Sequence, residues 1–277
     1  MLKSVFYSLC THFSIGLIFS VLFISLNEIG KLYFRVTTIL ALILITLALL
    51  AQPFENQTVV GLLHFQDFFA HSAQKATVLF FTLSIVLIVI YNIVHPKWHK
   101  VFLLSILACG LAGLVNYAAS YYQMSTSQAV EPVLFITNDV SSALILGSVL
   151  ASMITGHWYL VQHNLNINAL NRSSVIFVFS VLFRLVVMVF SMLFYWKFGS
   201  QTNVFEYIAN LNLTGYLLIG RFVIGLFVPL VFAIMVWKAA KIHSTQSATG
   251  ILYATIVLIL IGEAFAKFLY YATGIPL

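Results

Sequence analysis

Apolar residues run along the chain in blocks of about twenty, separated by short polar connections, and such blocks are too long for the strands of a membrane barrel. A helix that crosses the hydrocarbon core needs about 20 apolar residues. By that measure the chain holds eight spans, near 5–26, 33–52, 76–94, 101–122, 133–155, 175–198, 213–237 and 250–273. The first has Lys3 ahead of its apolar run but no small-residue cleavage site, so it reads as a span and not as a removed signal peptide. No linker or low-complexity tract divides the sequence. The pattern predicts an all-α polytopic integral membrane protein with eight transmembrane helices, forming a single transmembrane domain over 1–277. In each half the longest loop follows the second helix, near 53–75 and 199–212, and each loop is partly amphipathic. This suggests two four-helix halves, 1–125 and 126–277, in the manner of parallel repeats.

Composition makes the membrane assignment firm. Of 277 residues, 62% are hydrophobic and 7% charged, and the mean hydropathy is +1.05. A soluble domain is about 45–50% apolar and about 25% charged, so soluble, disordered and fibrous classes are excluded. The net charge of +6 is spread over many loops and reads as orienting charge, not as a nucleic-acid patch. Connections after the first, third, fifth and seventh spans carry Lys31 and Arg35, Lys97 and Lys100, Arg172, and Lys238 and Lys241. The opposite loops hold Glu55, Asp67, Glu131 and Glu206. The positive-inside rule then places both termini outside, in a bacterial-type inner (plasma) membrane. Cys10 and Cys109 fall in apolar stretches and read as small core hydrophobes. Phosphate-cradling and dinucleotide glycine motifs, metalloprotease motifs and serine-elbow motifs are all missing, so soluble chemistry must come from a partner.

Charges at membrane depth are the main chemical clue, because each costs roughly 2.5–3.5 kcal/mol on insertion scales and needs a partner or a wet cavity. The candidates are Asp139, Arg184, Arg221, Glu263 and Lys267, joined by His12 and His157 and by Asn116. With the expected topology most converge on the outer leaflet. Glu263 and Lys267 are four residues apart on one helix face and are expected to pair with each other. Arg221 has Asp139 or Glu263 within reach across the bundle, and Glu263 is the nearest acid in depth to Arg184. Arg221, Gly225 and Pro229 repeat at four-residue spacing, a face that lets a neighbouring helix or a flat ring approach. His157 opens the run Gly156-His-Trp-Tyr, whose aromatics suit an interfacial belt. A haem b held by two histidines has little support, since His12 finds no mate at its depth, and no cluster has zinc-ligand spacing.

The segment from Ile256 to Tyr271 resembles the final helix of the DMSO-reductase membrane-anchor family, related to the NrfD-like eight-helix subunits. An apolar run is followed by Gly262-Glu263, a basic residue at Lys267 where the family has arginine, and the aromatic pair Tyr270-Tyr271. His12 is similar to a first-span histidine found near the quinone in some members. Eight spans with both termini outside are also shared, whereas the second to fifth spans do not align. The resemblance implies a quinol-binding membrane anchor subunit of a respiratory oxidoreductase complex. Such a subunit binds menaquinone or ubiquinone in its quinol form and passes electrons to an iron–sulfur partner. His12, Asp139, Arg221, Glu263 and Lys267 are then the quinone- and proton-handling residues, with Asn116, Arg184 and His157 behind them. Two other readings use the same charges: a transporter or channel-like protein, and a cofactor-free structural or assembly subunit.

Overall fold

The computed structural model describes residues 2–51, 79–80, 82–86, 99–122, 131–162, 167–198 and 213–277, and among them every regular element is helical. The helices are α1 (Leu2–Val21), the single turn α2 (Leu26–Ile29), α3 (Lys31–Ala51), α4 (His99–Tyr122), α5 (Glu131–Val161), α6 (Asn168–Phe198), α7 (Leu213–Lys241) and α8 (Thr245–Thr273). Seven of them, all but α2, are long and apolar enough to cross a membrane. The span expected near 76–94 lies mostly outside the described residues; 79–80 and 82–86 within it are helical. The expected boundaries shift in two places. The first span closes at Val21 and the chain turns through α2, where Gly30 takes a φ of 92° before α3 begins. The fifth and sixth spans lengthen to 31 residues each, about 46 Å at 1.5 Å per residue, so both outreach a hydrocarbon core of about 30 Å.

The membrane environment decides which faces are buried. On α6 the buried positions include Ser173, Ser180, Arg184 and Ser191, while Val175, Phe179, Leu182, Val186, Val189, Phe190 and Leu193 are exposed. The polar residues of the helix are on its buried face, among apolar ones such as Phe177, Val181 and Met188, and the exposed face is large and apolar, the reverse of a soluble helix. Lipid offers no hydrophobic drive between helices, so association rests on close packing and interhelical hydrogen bonds. Those bonds are present. Ser14 donates to the Ala41 carbonyl of α3 at 2.8 Å, Ser152 to the Ser173 carbonyl of α6 at 3.0 Å, and the Tyr33 and Thr155 hydroxyls meet at 2.9 Å.

α5 is the hub, packed against α1, α6, α8 and α4, and α1 lies between α5 and α3. The α1–α5 crossing brings Gly16 against Gly147: a Cβ built on Gly147 would fall onto the Gly16 backbone, and one built on Gly16 onto the Ala143 carbonyl. Gly147→Ala should therefore lower stability by at least about 1–3 kcal/mol, the usual cost of overpacking. Gly250→Ala, whose added carbon meets nothing within 4 Å, should be neutral or mildly stabilising through helix propensity. Thermal unfolding of the two variants in detergent checks the contrast; equal midpoints would contradict the tight crossing.

The aromatic run at the end of α5 packs partly into the bundle. Tyr159 is buried, and Trp158 packs edge-on against Tyr33 with ring centroids 5.7 Å apart. Both rings contribute to the α3–α5 contact. Cys10 is buried and Cys109 half-buried, and both are free thiols.

Candidate polar site within the membrane

Two polar positions on α5 lie one turn apart from each other and face α8, which runs antiparallel to it. Asn138 and Asp139 form one turn, Ser141 and Ser142 the next, and all four are buried. Antiparallel packing sets Ser142 beside Glu263 and Asp139 beside Lys267, one turn further along α8. α6 adds Arg184, α7 adds Arg221 and α1 adds His12, and these three are fully buried, as is Glu263. Six of the eight sequence candidates thus meet in one cluster.

Glu263 is its centre. The Arg184 guanidinium grips it with two parallel bonds, Nε to Oε1 at 3.0 Å and Nη2 to Oε2 at 3.1 Å. Arg221 donates from Nη2 to Oε1 at 2.8 Å, and the Ser142 hydroxyl donates to Oε2 at 2.7 Å. Four charge-assisted bonds thus converge on one carboxylate. Arg184 spends its remaining donors on the Asn138 carbonyl at 3.1 Å, Asn138 Oδ1 at 2.5 Å, Ser141 Oγ at 2.9 Å and the backbone oxygen of Leu277 at 3.1 Å. The fork geometry of arginine suits this joining of α5, α6 and α8 in a way that lysine could not.

The expected pair between Glu263 and Lys267 does not form. Both oxygens of Glu263 are taken by arginines, and Lys267 reaches across to Asp139, Nζ to Oδ1 at 2.5 Å. Of the two acids within reach of Arg221, it meets Glu263 and not Asp139. Its Nε and Nη1 atoms are buried without a partner.

Arg221 owes its position to a local distortion of α7. Residues Val223–Phe227 form a π-helical turn between the α-helical segments Leu213–Phe222 and Val228–Lys241. Pro229 explains it: proline has no N–H to offer the carbonyl four residues back, at Gly225, and its ring crowds that carbonyl. Such single π turns recur at functional sites. Here Gly225 of the turn lies against Gly262 of α8, so closely that a Cβ on Gly262 would overlap the Gly225 backbone. The small-residue face at Arg221, Gly225 and Pro229 therefore admits a neighbouring helix, and the approach puts Arg221 beside Glu263.

His12 closes the network on the α1 side. Its Nδ1 lies 3.1 Å from Ser142 Oγ, and its Nε2 lies 3.7 Å from Asp139 Oδ1. The single Ser142 hydroxyl proton goes to Glu263, so Nδ1 must carry the hydrogen of the neutral ring and donate it to Oγ. Nε2 is then a bare lone pair, buried with no hydrogen-bond partner. A small cavity of about 10 Å³, the size of one water, is lined by Tyr7, Ser8, Thr11, His12, Gly113 and Leu114.

The two other candidates stand apart. His157 meets the Tyr253 hydroxyl through Nδ1 at 3.0 Å on an exposed surface at the far end of α5. Asn116, half-buried on α4, donates to its own helix at the Ala112 carbonyl, 2.8 Å away. The sequence reading overlooked Ser141 and Ser142. The signal was present, since four polar residues in five positions on an otherwise apolar helix are expensive unless they meet partners. Among the described residues no group of three or more histidine, cysteine, aspartate or glutamate side chains is placed to hold a metal.

Fold and site together define an all-helical integral membrane protein built around a buried ion network. Compared with known protein families and with curated protein sequences, the chain matches none.

Proposed function

We propose that the chain is the quinol-handling membrane subunit of a respiratory oxidoreductase complex. In this reading it sits in a bacterial-type inner membrane with both termini outside and an eighth span near 76–94, its spans grouped as two four-helix halves. It delivers electrons to an iron–sulfur partner. The observation that supports it best is the state of His12: a buried imidazole whose bare Nε2 lies 3.7 Å from a carboxylate oxygen of Asp139. A proton arriving at Nε2 would convert that unbonded approach into a charge-assisted contact with Asp139.

The network holds unpartnered groups of both kinds that a quinol calls for, a proton acceptor at His12 Nε2 and donors at Arg221 Nε and Nη1, all of them buried. A menaquinol or ubiquinol beside the network would give its two electrons to the iron–sulfur partner, one proton to His12 and the other to water. The cavity that His12 lines is the size of one water and admits no ring, so a quinol would have to lie outside the network and pass its proton inward. Asp139 then faces the imidazolium, and Lys267, at 2.5 Å, holds the Asp139 carboxyl group in place. Ser142 and Glu263 fix the hydrogen at Nδ1 and so hold Nε2 open. Glu263, saturated by two arginines, acts as a positioning residue and not as a proton carrier. Haem b does not belong to this reading, because an iron ligand needs the nitrogen that His12 aims at Asp139.

A second reading, a structural or assembly subunit whose charges dock helices, is favoured by the four bonds on Glu263 alone. Purification in mild detergent separates the two. Quinone in the lipid extract and an iron–sulfur protein in the preparation are expected. A preparation with neither, from membranes whose quinol oxidation is undiminished when the chain is deleted, overturns the proposal. A sharper check is Asp139→Asn, which keeps size and removes the counter-ion. Quinol-dependent turnover should fall about 10²-fold or more, measured on protein that still purifies intact.

A further inference from the structure

The basic loops gather at the end of the bundle opposite the polar cluster, where α3 and α6 begin and α7 ends. Lys31 and Arg35, Arg172, and Lys238 and Lys241 all lie there. Between the end of α1, the start of α6 and the end of α7 is an open groove of about 420 Å³. Its walls are Phe23, Val175, Ile176 and Trp237, and its polar rim is Asn171, Arg172 and Lys241. Phe23 and Val175 are 50% and 51% exposed, so the apolar wall is open at the surface of the bundle.

The rim is built for an anion. The Glu28 carboxylate holds Arg172 at Nη1 and Nη2, 3.2 and 3.0 Å away, which fixes the guanidinium at the groove. Lys241 has no acidic partner among the described residues, and its Nζ sits 3.9 Å above the Trp237 ring. A cation placed on an aromatic face beside an apolar wall suits a phosphate with its chains attached.

We infer that this groove is a binding site for one anionic phospholipid, with phosphatidylglycerol as its probe. Its phosphate rests on Lys241 and Arg172, and an acyl chain lies along Phe23, Val175 and Ile176. The site is independent of the quinol reading, since it shares no residue with the polar cluster.

Native mass spectrometry of the delipidated full chain, titrated with phosphatidylglycerol or phosphatidylcholine of the same chains, tests it. The wild type should retain phosphatidylglycerol in preference. Lys241→Ala should weaken that retention roughly five-fold, the worth of one basic side chain at an anionic lipid. Lys238→Ala makes the same change in net charge three residues away and outside the groove, and should have little effect. Equal retention of the two lipids, unchanged binding by Lys241→Ala, or equal losses in the two lysine variants would each overturn the site in favour of a diffuse basic surface.

Discussion

Glu263→Gln should destabilise the protein by about 3–5 kcal/mol, the cost of breaking a buried ion pair from one side. The amide removes the only charge that faces both Arg184 and Arg221, whose guanidiniums are fully buried. Two cations would then oppose each other in a medium that solvates neither. Lys267→Met should cost less. Its partner Asp139 retains some exposure, 13% of its side chain, and stays beside His12. Reversible unfolding in mixed micelles would show the order. A Glu263→Gln protein as stable as wild type would mean that the carboxylate is not the keystone of the α5–α6–α8 contact. Arg184→Lys should resemble Glu263→Gln more than it resembles wild type, because a point-like ammonium cannot reproduce the fork that joins Glu263, Asn138 and Ser141.

The sequence made the membrane class and most of the site legible for one reason: lipid penalises every polar group, so polar residues inside long apolar runs are conspicuous. Arg184, Arg221, Glu263 and Lys267 stand out on that ground without any structure. Their partners do not. Spacing of four residues on α8 favours Glu263 with Lys267, and that local rule fails because α5 presents Ser142 and Asp139 at matching heights on the antiparallel neighbour. Arg184 reads as secondary in sequence because nothing near it on α6 is acidic, yet it carries the largest number of bonds in the cluster. Pro229 marks a defect in α7, but a proline alone does not say whether the helix kinks or widens. The π turn and the Gly225–Gly262 approach together decide that Arg221 reaches Glu263. The serines were missed because hydroxyls in membrane helices usually satisfy themselves on their own backbone, as Ser180 does with the Ile176 carbonyl. Ser142 is an exception, bonded to two other helices.

His12→Asn should separate the proton-handling role from the packing role. The asparagine amide can occupy the place of Nδ1 and donate to Ser142 Oγ, so the link from α1 through Ser142 to Glu263 survives. What it lacks is the lone pair at the position of Nε2, the atom that faces Asp139. Assembly and thermal stability should therefore stay near wild type, while quinol-dependent turnover falls about 10²–10⁴-fold, the range for loss of a general base. His12→Ala, which loses the donor to Ser142 as well as the lone pair, should lower stability and turnover together. If His12→Asn turns over at the wild-type rate, the proton taken from quinol does not pass through α1, and the network serves only to bind its helices together.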